Sequence, residues 1–135
     1  MAYQGYLIKV GDYVISGKNF IRADSYNATL IVQDLDSYRD MEGKLHRTAL
    51  NHRVNKIEFE TRAMLTNKQM EDLLGNIRQR YTNENERRVS ATVYVPEIND
   101  YMTQDMYLAD LEFSIYGVFN NVIYYNPIRF AFIAY

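Results

Sequence analysis

The sequence predicts an α+β domain: a mostly antiparallel β-sandwich or barrel with one flanking helix at about residues 66–81. Three observations carry this. Several stretches alternate apolar and polar residues with a period of two, the mark of half-buried strands. Only one stretch repeats its apolar residues at three- and four-residue steps. Strands and helices do not alternate regularly, which removes a parallel βαβ plan. At 135 residues the chain reads as one domain, 1–135, large enough to hide about two-thirds of its unfolded surface.

Tyr6–Val10 and Tyr13–Ile15 are short strand runs joined by Gly11-Asp12, a tight-hairpin signal in which Gly supplies the positive φ. Gly17-Lys18-Asn19 closes that unit, and Ala28–Gln33 predicts a further strand. The next stretch differs. Asp34–Asn51 is polar, with Leu35, Tyr38, Met41, Leu45 and Leu50 as its only sizeable apolar groups. It reads as a projecting arm at about 34–52, tipped by Asp40-Met41-Glu42-Gly43-Lys44, where Gly43 is free to take a left-handed backbone. Such an arm costs ordering entropy unless a partner buries it. Asp36, Tyr38, Arg39, Asp40, Glu42, Lys44, His46 and Arg47 are therefore candidate subunit contacts.

Lys56, Glu58, Glu60 and Arg62 then alternate with Ile57, Phe59, Thr61 and Ala63, giving a strand with one wet face. Thr66 and Gln69 have the spacing of a capping box, with Leu65 and Met70 as its hydrophobic staple. Met70, Leu73, Leu74, Ile77 and Tyr81 continue the stripe for about four turns, interrupted by Gly75, which costs about 1 kcal/mol relative to Ala. Thr82–Arg88 reads as a polar turn, and Val89, Ala91, Val93 and Val95 as the buried face of a strand that Pro96 ends. Glu97–Asp105 reads as a second polar loop. Met106–Tyr116 reads as one long strand with Tyr107, Ala109, Leu111, Phe113 and Ile115 on one face. Gly117–Asn121 reads as a turn and Val122–Tyr125 as a short strand. Ile128–Tyr135 is apolar on both faces, which places it inside the sheet or against another subunit.

The chain has no cysteine, so disulfides, thiolate metal sites and cysteine nucleophiles are absent. A net charge of −2 with scattered basic residues argues against nucleic-acid binding, which needs a concentrated basic footprint. Arg78, Arg80, Arg87 and Arg88 are interrupted by Glu84 and Glu86, and the first two complement the negative end of the helix. No apolar run approaches the ~20 residues of a membrane span, and the start runs into Tyr6-Leu7-Ile8 without a leader pattern. The expectation is a soluble protein made in the cytoplasm.

Active-site chemistry is poorly served. His46 and His52 lack zinc-ligand spacing, and Asp34-x-Asp36 lacks the further oxygen ligands of an EF-hand; no metal or cofactor is expected. Glu58 and Glu60 share a strand face as an acid–base pair would, but Lys56 and Arg62 on that face favour a salt-bridged surface. No serine-nucleophile, P-loop or dinucleotide motif occurs, so no catalytic residue is expected. The 13 Tyr exceed what one core can take. Tyr94, Tyr101, Tyr107, Tyr116, Tyr124 and Tyr125 are candidate protein contacts, since stacking on single-stranded nucleic acid would need a basic groove. A small-ligand or carbohydrate-binding β module, served by Asp34, Asp36 and the aromatics, is the alternative.

The arm Ser37-Tyr38-Arg39-Asp40-Met41-Glu42-Gly43-Lys44-Leu45-His46-Arg47, the strand Lys56-Ile57-Glu58-Phe59-Glu60, the Leu65-Thr66 helix start with Leu73-Leu74, and the late aromatic strands form a familiar order. It resembles a family of small tail proteins encoded by phages and prophages of Gram-positive bacteria. The Arg-Asp-x-x-Gly-Lys-x-x-Arg arm is the sharpest part of the likeness; the ending Phe130-Ala131-Phe132-Ile133-Ala134-Tyr135 departs from the more acidic one expected. The resemblance implies a non-enzymatic virion structural protein with the tail-tube fold shared by tube, distal-tail and hub proteins. It implies stacked hexameric rings formed by self-association, contacts with other phage tail proteins in the tube, distal tail or baseplate, and a place in the virion tail after assembly in the host cytoplasm. Asp36–Asn51 would then reach an adjacent subunit or ring. DNA would pass through the lumen without specific binding, which mild acidity suits. No membrane partner is implied.

Overall fold

Strand, cap and helix form between residues 54 and 81 as the periodicity requires, with a change at the junction. A computed structural model describes residues 3–135, with side chains at all of these except 34, 35 and 49–52. Expectations about the side chains of Asp34, Leu35, Leu50, Asn51 and His52 therefore lie outside the described residues. Strand β4 (Leu45–Glu60) buries Ile57 and Phe59 and leaves Lys56, Glu58 and Glu60 partly exposed. Thr61 is buried too, its Oγ1 accepting a hydrogen bond from the Ile128 amide at 2.9 Å. The alternation stops there. Ala63 faces solvent, because the chain turns through Met64 at a φ of 64° before the short strand β5 (Leu65–Thr66).

Helix α1 (Asn67–Arg78) begins on the predicted box: Thr66 Oγ1 accepts from the Gln69 amide at 3.2 Å, and Gln69 Oε1 accepts from the Thr66 amide at 3.0 Å. Met70, Leu73 and Ile77 are buried, while Leu74 and Tyr81 pack at the edge of the core. The regular helix ends a turn earlier than predicted, and residues 79–81 continue as tighter turns. Arg80 closes the end by donating from Nη1 to the Asn76 carbonyl at 2.9 Å and from Nε to Asp12 at 2.7 Å. Gly75 has no packing reason to be glycine, because a Cβ there would meet only the side-chain ends of Arg78 and Glu71 at 3.9 Å. Gly75→Ala should therefore raise stability by about 0.5–1 kcal/mol, read as a higher denaturant midpoint at unchanged slope.

The remaining strands are β1 (Ile8–Val10), β2 (Tyr13–Val14), β3 (Asn27–Arg39), β6 (Arg88–Val95), β7 (Asp100–Leu108), β8 (Ile115–Phe119), β9 (Val122–Tyr125) and β10 (Arg129–Ala134). They form a seven-stranded sheet in the order β2-β1-β6-β7-β10-β4-β3 and a three-stranded sheet β5-β9-β8, with every pairing antiparallel. Fold class is as the sequence implies: antiparallel sheet with one flanking helix. Gly11 turns the β1–β2 hairpin at a φ of 60°, donating its amide to the Ser90 carbonyl. β10 lies between β7 and β4, which is why both its faces are apolar. Phe130 sits opposite Phe59 with ring centroids 5.3 Å apart, and Phe132 lies 6.5 Å from Phe59. This stack, the helix stripe and Val89, Ala91, Val93 and Val95 share one core.

Three expectations fail in the C-terminal half. Residues 97–105 are not a loop. The turn is confined to residues 96–99, and β7 pairs with β6 from Val95↔Asp100 to Arg88↔Tyr107. Its polar residues satisfy one another across the wet face, as in Thr92 with Thr103 at 2.8 Å and Arg88 with Asp105 at 2.9 Å. Nor is 106–116 one strand. β7 ends at Leu108 with Met106 and Leu108 inward, the opposite phase from that read, and residues 109–114 lead across to the second sheet. Gly117 and Phe119 belong to β8; the turn is Asn120-Asn121 alone, both left-handed at φ 52° and 63°.

β10 runs out opposite Lys56, and there Gln104 of β7 takes over its role toward β4. The Gln104 amide reproduces one strand residue: Oε1 accepts from Asn55 Nδ2 at 2.7 Å and from the Asn55 amide at 3.4 Å, while Nε2 donates to the Arg53 carbonyl at 2.7 Å. Farther toward residue 45, β4 pairs with β3 alone among the described residues.

Candidate functional site

The β3–β4 ladder continues past the body of the sheet through Asp36↔Thr48, Ser37↔Arg47, Tyr38↔His46 and Arg39↔Leu45, with register irregularities between Val32 and Asp36. Its end is held by its own residues. Asp40 Oδ1 accepts from the amides of Glu42 at 3.0 Å and Lys44 at 2.9 Å, and Oδ2 lies 2.9 Å from His46 Nε2. Gly43 takes a φ of 84°, and its carbonyl accepts from Arg39 Nη1 at 2.9 Å. The Tyr38 and His46 rings stack with centroids 4.9 Å apart. The polar residues read from the sequence thus divide in two. Tyr38, Arg39, Asp40 and His46 build the turn, whereas Glu42 and Lys44 are displayed by it. Asp36 and Arg47 lie in the ladder behind. Met41, placed at the tip by the sequence but not among its candidate contacts, stands fully exposed at the apex; the signal was a lone apolar side chain in a charged turn.

The hydrogen bond from His46, then that from the Lys44 amide, holds the Asp40 carboxyl below its ordinary value of 3.8. A lowered carboxyl pKa stabilises the structure that holds the anion at any pH above the ordinary value, and the contribution is lost as pH falls through the lowered one. NMR titration of Asp40 should give a midpoint below 3.8, with the Glu42 and Lys44 amide shifts changing in step. A midpoint at or above about 4 would mean that the turn is not held this way.

The candidate tyrosines part company. Tyr94 and Tyr101 are engaged with the N-terminal segment: Tyr6 and Tyr101 rings lie 4.8 Å apart, Tyr94 and Tyr101 5.4 Å, and Tyr101 OH donates to the Tyr6 carbonyl at 2.7 Å. Tyr107 packs edge-on against Tyr135 at 5.5 Å. Tyr116, Tyr124 and Tyr125 lie on the β8–β9 hairpin, where Tyr116 is exposed beside Ile115, Val118 and Phe119. β8 is the edge of its sheet.

Glu58 accepts from Lys56 at 3.0 Å and from Arg129 at 2.6 Å, and Glu60 pairs with Arg22 at 2.7 Å. Lys56 first, with Arg129, holds the Glu58 carboxyl below the usual range. A general acid needs the reverse shift. Arg62 does not join this surface, donating instead to the Lys18 carbonyl at 2.6 Å. Among the described residues no group of three or more His, Asp or Glu is placed to hold a metal ion, and no helix is long and apolar enough to cross a membrane.

Antiparallel sheet, single helix and long hairpin together give a fold similar to chains of gene transfer agent particles. One is a chain in the tail of an empty gene transfer agent particle with C6 symmetry, at 14% identity and a TM-score of 0.52 over 99% of this chain and 95% of that one. Another is a chain of the native gene transfer agent virion, at 13% identity and a TM-score of 0.52 over 100% and 94%. The protein belongs to DUF6711, a family of unknown function whose model matches residues 1–135. No curated protein matches its sequence.

Proposed function

We propose that this chain is a non-enzymatic structural subunit of a phage-like tail, assembling into rings of the tube, distal tail or baseplate, with residues 36–51 crossing to an adjacent subunit or ring. One observation carries the reading. On a fold that matches a tail chain over nearly its whole length, a hairpin leaves the sheet, pairs strand to strand with itself alone among the described residues, and exposes nearly every side chain described between residues 36 and 48. A ribbon of two strands is marginal alone in water, and ordering it is repaid when another chain covers it. The uncharged β8–β9 hairpin, with its exposed Ile115, Tyr116, Val118 and Phe119, adds surface of the kind that association hides.

Electron microscopy and light scattering of the purified chain, alone and with the products of neighbouring genes, test this. Rings or short tubes are the expected result. A chain that stays monomeric at high concentration and recruits none of those products would exclude it.

A further inference from the structure

The two ends of the β3–β4 hairpin are complementary and cannot meet within one chain. At the base, a groove of about 540 Å³ opens between the N-terminal segment and residues 14–26, with Tyr6, Val14, Ile15 and Ile21 in its lining. Three charged side chains line it as well. Arg22 is taken by Glu60, whereas Lys18 and Asp24 are exposed and have no ion partner among the described residues. At the apex, Met41 is fully exposed between Asp40, which the turn consumes, and Glu42. Arg39 is held by the Gly43 carbonyl, and Glu42 and Lys44 are apex charges with no ion partner among the described residues. Each end thus offers apolar surface and one free charge of either sign.

Thirteen residues of β3 separate apex from base, about 40 Å at roughly 3.3 Å per residue. A paired ribbon of that length cannot fold back on its own root. We infer that the apex enters this groove on a second copy of the chain, Met41 against the Tyr6 and Ile21 side chains, Glu42 toward Lys18 and Lys44 toward Asp24. Thioether sulfur on an aromatic ring is a favourable contact. Because donor and receptor surfaces differ, the contact is head-to-tail and repeats along a line of copies. This rests on the reading of the chain as an assembling subunit and names what the arm grips.

The chain has no cysteine, so single introduced thiols report without background. Met41→Cys and Val14→Cys both alter exposed side chains. Mixed and mildly oxidised, they should form a mixed disulfide dimer, whereas Met41→Cys with Tyr116→Cys should not, since bridging needs Cα atoms within about 7 Å. Glu42→Lys on the first partner should lower the yield about two- to fivefold, and Lys18→Glu on the second should restore it. Assembled particles whose position 41 bridges only to itself or to 116 would overturn the groove and leave the assembly reading standing. Monomers that form no bridge would overturn both.

Discussion

Deleting residues 38–47 should leave a folded chain that no longer assembles. The segment contributes nothing to the core; the hydrogen bonds of its turn are made within it, and of its ladder pairs Tyr38↔His46 and Arg39↔Leu45 are removed whole while Ser37↔Arg47 is cut. Circular dichroism and the unfolding midpoint should therefore stay close to wild type, since changes away from core, caps and networks fall within about 0.5 kcal/mol. Association should respond strongly. An anchor that sits centrally in an interface is worth about 2 kcal/mol or more, roughly thirtyfold in dissociation constant for each contact, and a ring or stack loses that at every junction. Sedimentation and microscopy at matched concentration read the difference. Rings from the shortened chain would place the main contacts elsewhere, with β8 the next surface to probe.

Phe130→Ala should have the opposite signature. Phe59, Phe130 and Phe132 are almost wholly inaccessible, and Phe130 faces Phe59 across the β10–β4 pairing in the middle of the large sheet. Truncation removes a ring from a site enclosed on both sides, with little room to collapse, and should cost about 3–5 kcal/mol. For a chain of this length that is roughly 10–18 °C in melting temperature. Phe119→Ala on the exposed β8 edge is the control, expected within about 0.5 kcal/mol in the monomer. If the two variants melted together, Phe130 would not be the keystone that its burial indicates.

What could be read from residues alone followed the strength of local pattern. The alternation through Ile57 and Phe59, the Thr66–Gln69 cap and the glycine turn at 43 are set by near neighbours, and all three form. β10 was legible as a strand covered on both faces, by the sheet or by another subunit, because nothing polar interrupts Phe130 to Ala134, and the structure places it inside the sheet. β7 was not, because Tyr101, Thr103 and Asp105 look like loop until β6 lies beside them and pairs each with a partner. The run from 106 to 116 misled for a related reason: its odd-numbered apolar residues span a strand end and a connection, whereas the even positions Met106 and Leu108 face the core. The polar face of the arm was visible as composition, yet the division between residues that fold the turn and those it displays needed geometry. The groove at the base had no local signature, since it is assembled from segments with no common period.

Gln104 marks where the protein stops being a slab. On one side of it β4 is gripped by β10; on the other, a lone ribbon with an irregular register carries the chain outward. Bending stiffness drops at that line while the shoulder beneath is kept flush by a single carboxamide. Such a cantilever would deflect without disturbing its mount, so that in the assembly proposed above one sequence could meet its neighbours at slightly different bearings.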